Sequence, residues 1–138
     1  MKKIIVYAVI LLSTTNLQSC VPAPNPDKQI QDKFLACMTE EGKMTYGNYF
    51  TQLAGIRGEV KYQVLTEQGE TDPAIKIMQV DIDKKYSTVT YKTAKFQYQF
   101  NTNTGFVKLR YLAINGEGQN ILTGAMTLDL MLLESAYK

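Results

Sequence analysis

The spacing of apolar residues along the chain changes from a helical period to a strand period near residue 59. Before that point, Asn25-Pro26-Asp27 offers an N-cap, a first-turn proline and a first-turn acid, which together favour the start of a helix. The apolar residues that follow recur at helical spacing and predict one buried stripe, made of Ile30, Phe34, Cys37 and Met38. Gly42 provides a natural end to this helix.

A second, shorter helix is compatible with the segment from Met44 to Leu53. Its larger apolar residues are Met44, Tyr46, Tyr49, Phe50 and Leu53. Gly47 lowers the helix propensity of this segment by about 1 kcal/mol relative to alanine, so its assignment stays ambiguous. Gly55-Ile56-Arg57-Gly58 then ends the segment and leads into the first strand.

Apolar and polar residues alternate over most of the chain after residue 59, as they do in strands with one buried face. We expect the strands at Glu59 to Val64, Ile75 to Ile82, a long run that includes Val89 to Phe100, Val107 to Ile114, and Ile121 to Leu133. Turn-forming residues separate them at Gly69 to Pro73, Asn101 to Gly105 and Asn115 to Gly118.

Changes of apolar phase within these strands predict local features of the sheet. At Ile77-Met78 we expect a bulge or burial on both faces, and at Thr93 to Lys95 a second bulge. The strand from Val107 to Ile114 ends apolar on both sides, which predicts a central position in the sheet. In the last strand, the residues expected on one face are Leu122, Met126, Leu128, Leu130 and Leu132.

Together these elements predict an α+β fold, with one or two N-terminal helices packed on a curved antiparallel sheet of about five strands. The element order over residues 26–133 resembles that of the cystatin-like and NTF2-like folds. A small closed β-barrel with a helix as a plug is the alternative. A fold of this kind does not determine function, because it hosts enzymes, binding proteins and assembly components alike.

The start of the chain has the three-part layout of a secretory signal. Lys2 and Lys3 precede an apolar run of nine residues from Ile4 to Leu12, and polar residues follow it. A permanent membrane-spanning helix needs about 20 apolar residues. We therefore expect this segment to be removed rather than retained as an anchor.

The stretch Leu17-Gln18-Ser19-Cys20 resembles the lipobox of bacterial lipoproteins, which has an aliphatic residue three positions before the cysteine and a small residue directly before it. Gln18 departs from the pattern, since a small or aliphatic residue is usual there. The resemblance implies that Cys20 becomes the mature N-terminus and carries a diacylglycerol and an N-acyl chain such as palmitate, which anchor the protein in the bilayer. Because Val21 is not acidic, the resemblance also implies the outer membrane, on its periplasmic face.

This resemblance divides the chain into three parts: a signal peptide of residues 1–19, a lipidated Pro-rich tether of residues 20–26, and a single domain of residues 27–138. At about 3.1 Å per residue, the tether spans only about 20 Å, so the domain is expected to stay close to the bilayer. Two alternatives remain open. Cleavage at Val21-Pro22-Ala23 is one, and a disulfide between Cys20 and Cys37 is the other.

Charge argues against a nucleic-acid partner. The chain has 15 basic and 13 acidic residues, but Lys2 and Lys3 lie in the predicted signal, which leaves 13 of each sign. A protein without net charge has no global attraction for nucleic acid.

Residue types also limit the chemistry that we expect. The chain contains no histidine, which is the commonest general base and metal ligand. With Cys20 acylated, Cys37 is a lone thiol that should pack as a small hydrophobe. We therefore expect no metal, no cofactor and no enzymatic activity. The remaining enzymatic alternative is an isomerase in which Asp81 or Asp129 acts as a base beside a tyrosine, as in the NTF2-like group.

A local excess of positive charge predicts a binding surface. Between Pro73 and Arg110 the chain has seven basic and two acidic residues. We expect contact with an acidic protein surface or lipid headgroups through Lys108, Arg110, Tyr86 and Tyr91. The alternative is a solvated sheet face whose lysines prevent edge pairing.

An apolar ligand in the concavity of the sheet is a further alternative. Its walls would be Phe96, Tyr98, Phe100, Leu128 and Leu130. In a domain of this size, the helix stripe more often fills such a space. We therefore predict an envelope lipoprotein that acts by protein–protein contact, as an accessory or protective component of an assembly, of the immunity or exclusion type. A carrier of an apolar ligand is the second hypothesis, and an isomerase is the third.

Overall fold

The computed structural model describes residues 24–84 and 91–136. In this part of the chain, three helices accompany a five-stranded antiparallel sheet, which confirms the α+β class. The helices are α1 (Pro26–Ala36), α2 (Tyr46–Ala54) and α3 (Ile121–Ala136). The strands are β1 (Glu59–Leu65), β2 (Ile75–Asp83), β3 (Thr93–Asn101), β4 (Val107–Ile114) and β5 (Glu117–Gly118).

Helix α1 begins at the predicted residue but ends earlier than expected. The Asn25 side chain accepts a hydrogen bond from the amide of Asp27, and Pro26 opens the first turn. Cys37 is already extended, and its carbonyl accepts from the amide of Tyr46. Because Met38 forms a bridge with Thr45 instead of another helical turn, its side chain lies exposed and not in the predicted stripe.

The second helix, which the sequence left ambiguous, is formed. The Thr45 hydroxyl accepts a hydrogen bond from the amide of Asn48 and so caps the first turn of α2. Gly47 faces α1, where an added Cβ would lie 3.3 Å from the carbonyl oxygen of Leu35. The helix buries Tyr46, Phe50, Leu53 and Ala54.

The five strands follow one another in the sheet in chain order, as an antiparallel meander. No strand of the described residues closes the sheet by pairing β1 with β4 or β5, so the alternative of a closed barrel is wrong. Strand β5 pairs only with Ala113 and Ile114. Strand β4 is therefore close to the edge of the sheet and not central, and β2 and β3 occupy the centre.

The two predicted bulges do not occur. Strand β2 pairs with β3 along its whole length and with β1 from Ile77 to Asp83, and neither pairing has a register shift, including at Thr93 to Lys95. Ile77 and Met78 are both buried, as the other interpretation of that phase change had proposed. Residue Val89, on which the second bulge partly depended, lies outside the described residues.

A register shift occurs instead between β3 and β4. Tyr98 lies opposite Leu109 and Gln97 opposite Tyr111, so Arg110 is an extra residue in β4. The helix-facing side chains before the shift are those of Val107 and Leu109, and after it those of Leu112 and Ile114. This shift explains why β4 looked apolar on both sides in the sequence.

The core lies between the sheet and the three helices, and aromatic rings form a connected cluster within it. Phe34 of α1 contacts Tyr46, Phe50, Tyr98 and Phe100, with ring centroids 5.0 to 6.2 Å apart. Such offset and edge-on pairs each add about 0.5–1.5 kcal/mol to the burial of their apolar area. Asn115 and Gly116, both with positive φ, form the tight turn after β4, as predicted.

The prediction of a last strand from Ile121 to Leu133 is wrong, because residues 121–136 form helix α3. The Asn120 side chain accepts a hydrogen bond from the amide of Leu122 at its start. Leucine, methionine and alanine dominate the segment, and they favour helix over strand. Helix α3 buries Leu128 and Met131, and the ammonium group of buried Lys84 donates to the carbonyl of Met131 at 2.9 Å.

Candidate functional site

A cleft of about 530 Å³ opens between α2, α3, β4 and the loop that joins α1 to α2. This volume lies in the range of small-molecule sites, which is roughly 300–1,000 Å³. Its walls are mostly apolar and aromatic. The lining residues include Tyr46, Tyr49, Phe96, Tyr98, Leu109, Leu112, Ala125, Leu128 and Leu132.

Three tyrosines converge on this cleft. The rings of Tyr46 and Tyr98 meet edge-on, with centroids 5.2 Å apart, and each side chain is only 5% exposed. Burial, followed by the charges of Glu40 and Cys37, raises the pKa of Tyr46 to about 12. Burial, followed by Asp129, Tyr46 and Glu41, raises the pKa of Tyr49 to about 12.

The deepest of the three tyrosines is Tyr98. Burial raises its pKa well above 10, and the charges of Tyr49, Tyr46 and Glu40 contribute further. Within the described part of the chain, the hydroxyls of these three tyrosines form no hydrogen bond. A buried hydroxyl without a partner costs about 1–3 kcal/mol, so these groups are available to a hydrogen-bonding ligand.

The rim of the cleft carries more acid than base. Glu41 and Lys43 form an exposed ion pair with each other at 2.8 Å. Glu40 and Asp129 also line the cleft, and neither takes part in an ion pair of the described residues. Lys108 is the remaining basic residue of the lining. The local charge therefore disfavours an anionic ligand.

Only part of the predicted apolar cavity is found here. Phe96, Tyr98 and Leu128 line the cleft as expected. Phe100 is not a lining residue, because it is fully buried against Phe34 of α1. Leu130 lies on the side of α3 that faces away from the cleft, because this segment is a helix and not the predicted strand.

The outward side of α3 carries an exposed apolar surface, which we call the α3 outer face. Its members follow a helical spacing of four, four and three residues: Leu122, Met126, Leu130 and Leu133. Leu122 is 81% exposed and Met126 is 72% exposed. Soluble proteins seldom expose such a contiguous stripe unless it meets a partner.

Of the four residues predicted to bind a partner, the structure describes Lys108, Arg110 and Tyr91. Arg110 lies at the β4 bulge and pairs with Glu67 at 2.6 Å, whereas Lys108 lies at the cleft rim. Tyr91 is half-buried and packs against the core. Tyr86 lies outside the described residues. Their role in partner binding stays a prediction.

The two candidate catalytic carboxylates lie in different parts of the structure. Asp81 of β2 accepts from the side-chain amide of Gln79 at 2.8 Å and lies 3.6 Å from Lys95. It lines an open groove on the sheet face away from the helices. Asp129 shares the cleft with Tyr49 but is exposed on α3. An isomerase-type base requires a dry environment, which neither position provides.

Residues 24–84 and 91–136 contain no cluster of three side chains that could hold a metal ion. Cys37 is half-buried beside Lys33 and Gly105, whose carbonyls its thiol faces. Burial raises the pKa of this thiol, which lowers its reactivity. The helices of the same residues include none that is both long enough and apolar enough to cross a bilayer.

Sequence reasoning missed Glu40, Tyr46 and Tyr49 as site residues. Tyr46 and Tyr49 were read only as the apolar face of a possible helix, since helical spacing does not distinguish core from cleft. It also missed the α3 outer face, because a strand assignment placed Leu122, Met126 and Leu130 toward the core. The usable signal was the high content of leucine and methionine in residues 121–133, which favours a helix.

Comparisons with known proteins identify no relative of this chain. No family model matches it, and no curated protein and no solved structure shows significant similarity to it. A proposal for its function therefore rests on the fold and on the two surfaces described above.

Proposed function

We propose that this protein is an envelope lipoprotein, anchored through Cys20, that acts by contact with a partner protein through the α3 outer face. The observation that carries the proposal is the exposed stripe of Leu122, Met126, Leu130 and Leu133. An apolar helix face with this spacing is the element that proteins dock into an apolar groove of a partner. An accessory or protective component of an envelope assembly, of the immunity or exclusion type, is the role that this arrangement suits.

Charge favours a protein partner over the lipid surface. From Gln119 to Leu133 the only ionisable side chain is that of Asp129. Helices that lie in the membrane interface usually carry lysines and arginines, which attract anionic headgroups. Helix α3 offers no such attraction in this segment, whereas an uncharged apolar face matches the core of a protein interface.

Anchoring near the bilayer supports the same proposal. Helix α1 begins at Pro26, six residues after Cys20, so an acylated Cys20 would hold the domain within about 20 Å of the membrane. Confinement to a surface raises the effective concentration of a partner that resides in the same envelope. A weak apolar contact then suffices for association.

Site-specific photocrosslinking in intact cells tests the contact. A photoreactive residue at Met126, on the outer face, is expected to give one defined protein adduct, and one at Gln52, exposed on α2, to give none. The adduct at Met126 should disappear when Leu130→Lys is added. Adducts to lipid alone, to a second copy of the chain, or equally from both positions would contradict the proposal.

Two further variants separate this contact from the basic residues of β4. The Lys108→Glu/Arg110→Glu pair tests the surface predicted from the sequence, and Leu122→Lys tests the α3 outer face. We expect Leu122→Lys to abolish the adduct and the charge-reversal pair to leave it within about twofold, since rim charges change affinity little. The opposite result would assign the contact to β4.

The anchor itself is tested by metabolic labelling. Palmitate is expected to label the exported protein, and the Cys20→Ser variant should lose both the label and the membrane association. An unacylated thiol at Cys20 in the mass spectrum of the exported protein would refute lipidation. The label reports on the anchor and the crosslink at Met126 reports on the contact, so each part of the proposal has its own measurement.

A further inference from the structure

Three tyrosines place polar hydroxyl groups in the lining of the cleft, which is unusual where side chains only fill space. Tyr46 and Tyr98 are buried, line the cleft, and keep hydroxyls that form no hydrogen bond among the described residues. Buried tyrosine hydroxyls in proteins normally have a partner. The arrangement thus combines an apolar space with free hydrogen-bonding groups at its depth, which is the composition of a small-molecule site.

The surrounding charges restrict the class of ligand. The rim carries three acidic residues, Glu40, Glu41 and Asp129, against the two basic residues Lys43 and Lys108. A carboxylate or phosphate in the cleft would face this excess of acidic residues and would also lose hydration against the apolar walls. An uncharged oxygen atom, in contrast, can accept from a tyrosine hydroxyl without this cost.

We propose that the cleft binds a small, uncharged, mainly apolar molecule that carries a hydrogen-bonding oxygen, as an aliphatic alcohol or a neutral glyceride does. The apolar part lies against Phe96, Leu112 and Leu128. The oxygen lies among the hydroxyls of Tyr46, Tyr49 and Tyr98. This inference goes beyond the proposed partner contact, because it uses the inward side of α3, and the partner contact uses the outer face.

A matched series of ten-carbon probes tests the class of ligand. The protein is the full chain with Cys20→Ser, which removes the predicted acylation site so that no detergent competes for the cleft. Two-dimensional NMR titrations compare 1-decanol, decanoate and decyltrimethylammonium at neutral pH. We expect saturable binding of 1-decanol, with shift changes centred on the cleft, and binding of decanoate weaker by at least about tenfold.

Single substitutions test the site. Tyr98→Phe removes one hydroxyl and keeps the ring, and we expect it to weaken 1-decanol binding about fivefold, as loss of one hydrogen bond does. Tyr62→Phe is the matched control on β1, outside the cleft, and should leave the affinity unchanged. Ala125 of α3 lines the cleft and is exposed. Ala125→Phe should therefore fill the cleft and abolish binding without lowering the melting temperature.

Several results would overturn the inference. These are an absence of saturable 1-decanol binding, decanoate or decyltrimethylammonium binding as tightly as the alcohol, and shift changes confined to the α3 outer face. Equal effects of Tyr98→Phe and Tyr62→Phe would also overturn it. None of these results bears on the crosslink at Met126, so failure of the ligand site and failure of the partner contact remain distinguishable.

Discussion

Gly124 of α3 lies directly against the side chain of Leu112 of β4, so closely that an added Cβ would overlap the Cδ2 atom of the leucine. Leu112 is almost fully buried and lines the cleft. The glycine therefore lets the C-terminal helix approach the sheet at this point. A larger residue at position 124 would therefore push α3 away from β4 or displace Leu112.

Gly124→Ala is expected to destabilise the protein by about 1–2 kcal/mol, although alanine has the higher helix propensity. The reason is that the Leu112 side chain, which the added Cβ would overlap, has to shift from its packed position. In a Leu112→Ala background the overlap is removed, and Gly124→Ala should then be neutral or stabilising by up to about 1 kcal/mol. Denaturant unfolding of the four proteins measures this double-mutant cycle. Additive effects would show that the contact does not determine the approach of α3.

Phe34→Leu should lower the free energy of unfolding by about 1–2 kcal/mol, because leucine keeps most of the apolar volume but loses four ring contacts. Phe106→Leu is the matched control, since Phe106 is 63% exposed. Its effect should stay within about 0.5 kcal/mol. Equal effects in urea unfolding would contradict the central place of Phe34 in the core.

Alkaline pH should destabilise the fold through the cleft tyrosines. Burial raises the pKa of Tyr49 from 10.0 to about 12, so the folded state holds its proton more tightly than the unfolded state. This contribution to stability is complete below pH 10 and is lost as the pH rises to about 12. Urea midpoints measured across this range should therefore fall.

A tyrosine variant isolates this effect from the titration of lysines. Tyr49→Phe is expected to flatten the dependence of the urea midpoint between pH 10 and about 12. Tyr111→Phe, on the exposed part of β4, should leave the dependence as in the parent protein. Identical curves for all three proteins would exclude a contribution from Tyr49.

The ion pair between Arg110 and Glu67 should contribute little to stability despite its length of 2.6 Å. Both side chains are at least 40% exposed, and pairs of this kind typically contribute about 0.2–1 kcal/mol. A double-mutant cycle with Arg110→Gln and Glu67→Gln at low and high salt measures the coupling. A value above about 2 kcal/mol would indicate that the pair holds the β1–β2 connection in place.

The helical period from Asp27 to Phe34 and the alternation in β1 to β4 predicted most of the fold. These patterns can be recognised locally, because the face on which a side chain lies depends on its position within its own helix or strand. The bulge at Arg110 was not predictable, since two strands of either register bury similar apolar area near Leu109 and Leu112. In the cleft, Phe96, Tyr98 and Leu128 were expected, whereas Tyr46 and Tyr49 come from an element whose assignment was ambiguous.

By itself, the sequence determined the α+β class, the start of α1 and the paired strands, because polar residues mark one side of each of these elements. Residues 121–133 lack such a clear mark, since apolar side chains occupy most positions and fit either period. Tertiary contacts decided between the two periods, through the close approach of Gly124 to Leu112 and the hydrogen bond from Lys84 to the carbonyl of Met131. Both surfaces proposed for function depend on that decision, because one side of α3 lines the cleft and the other faces outward.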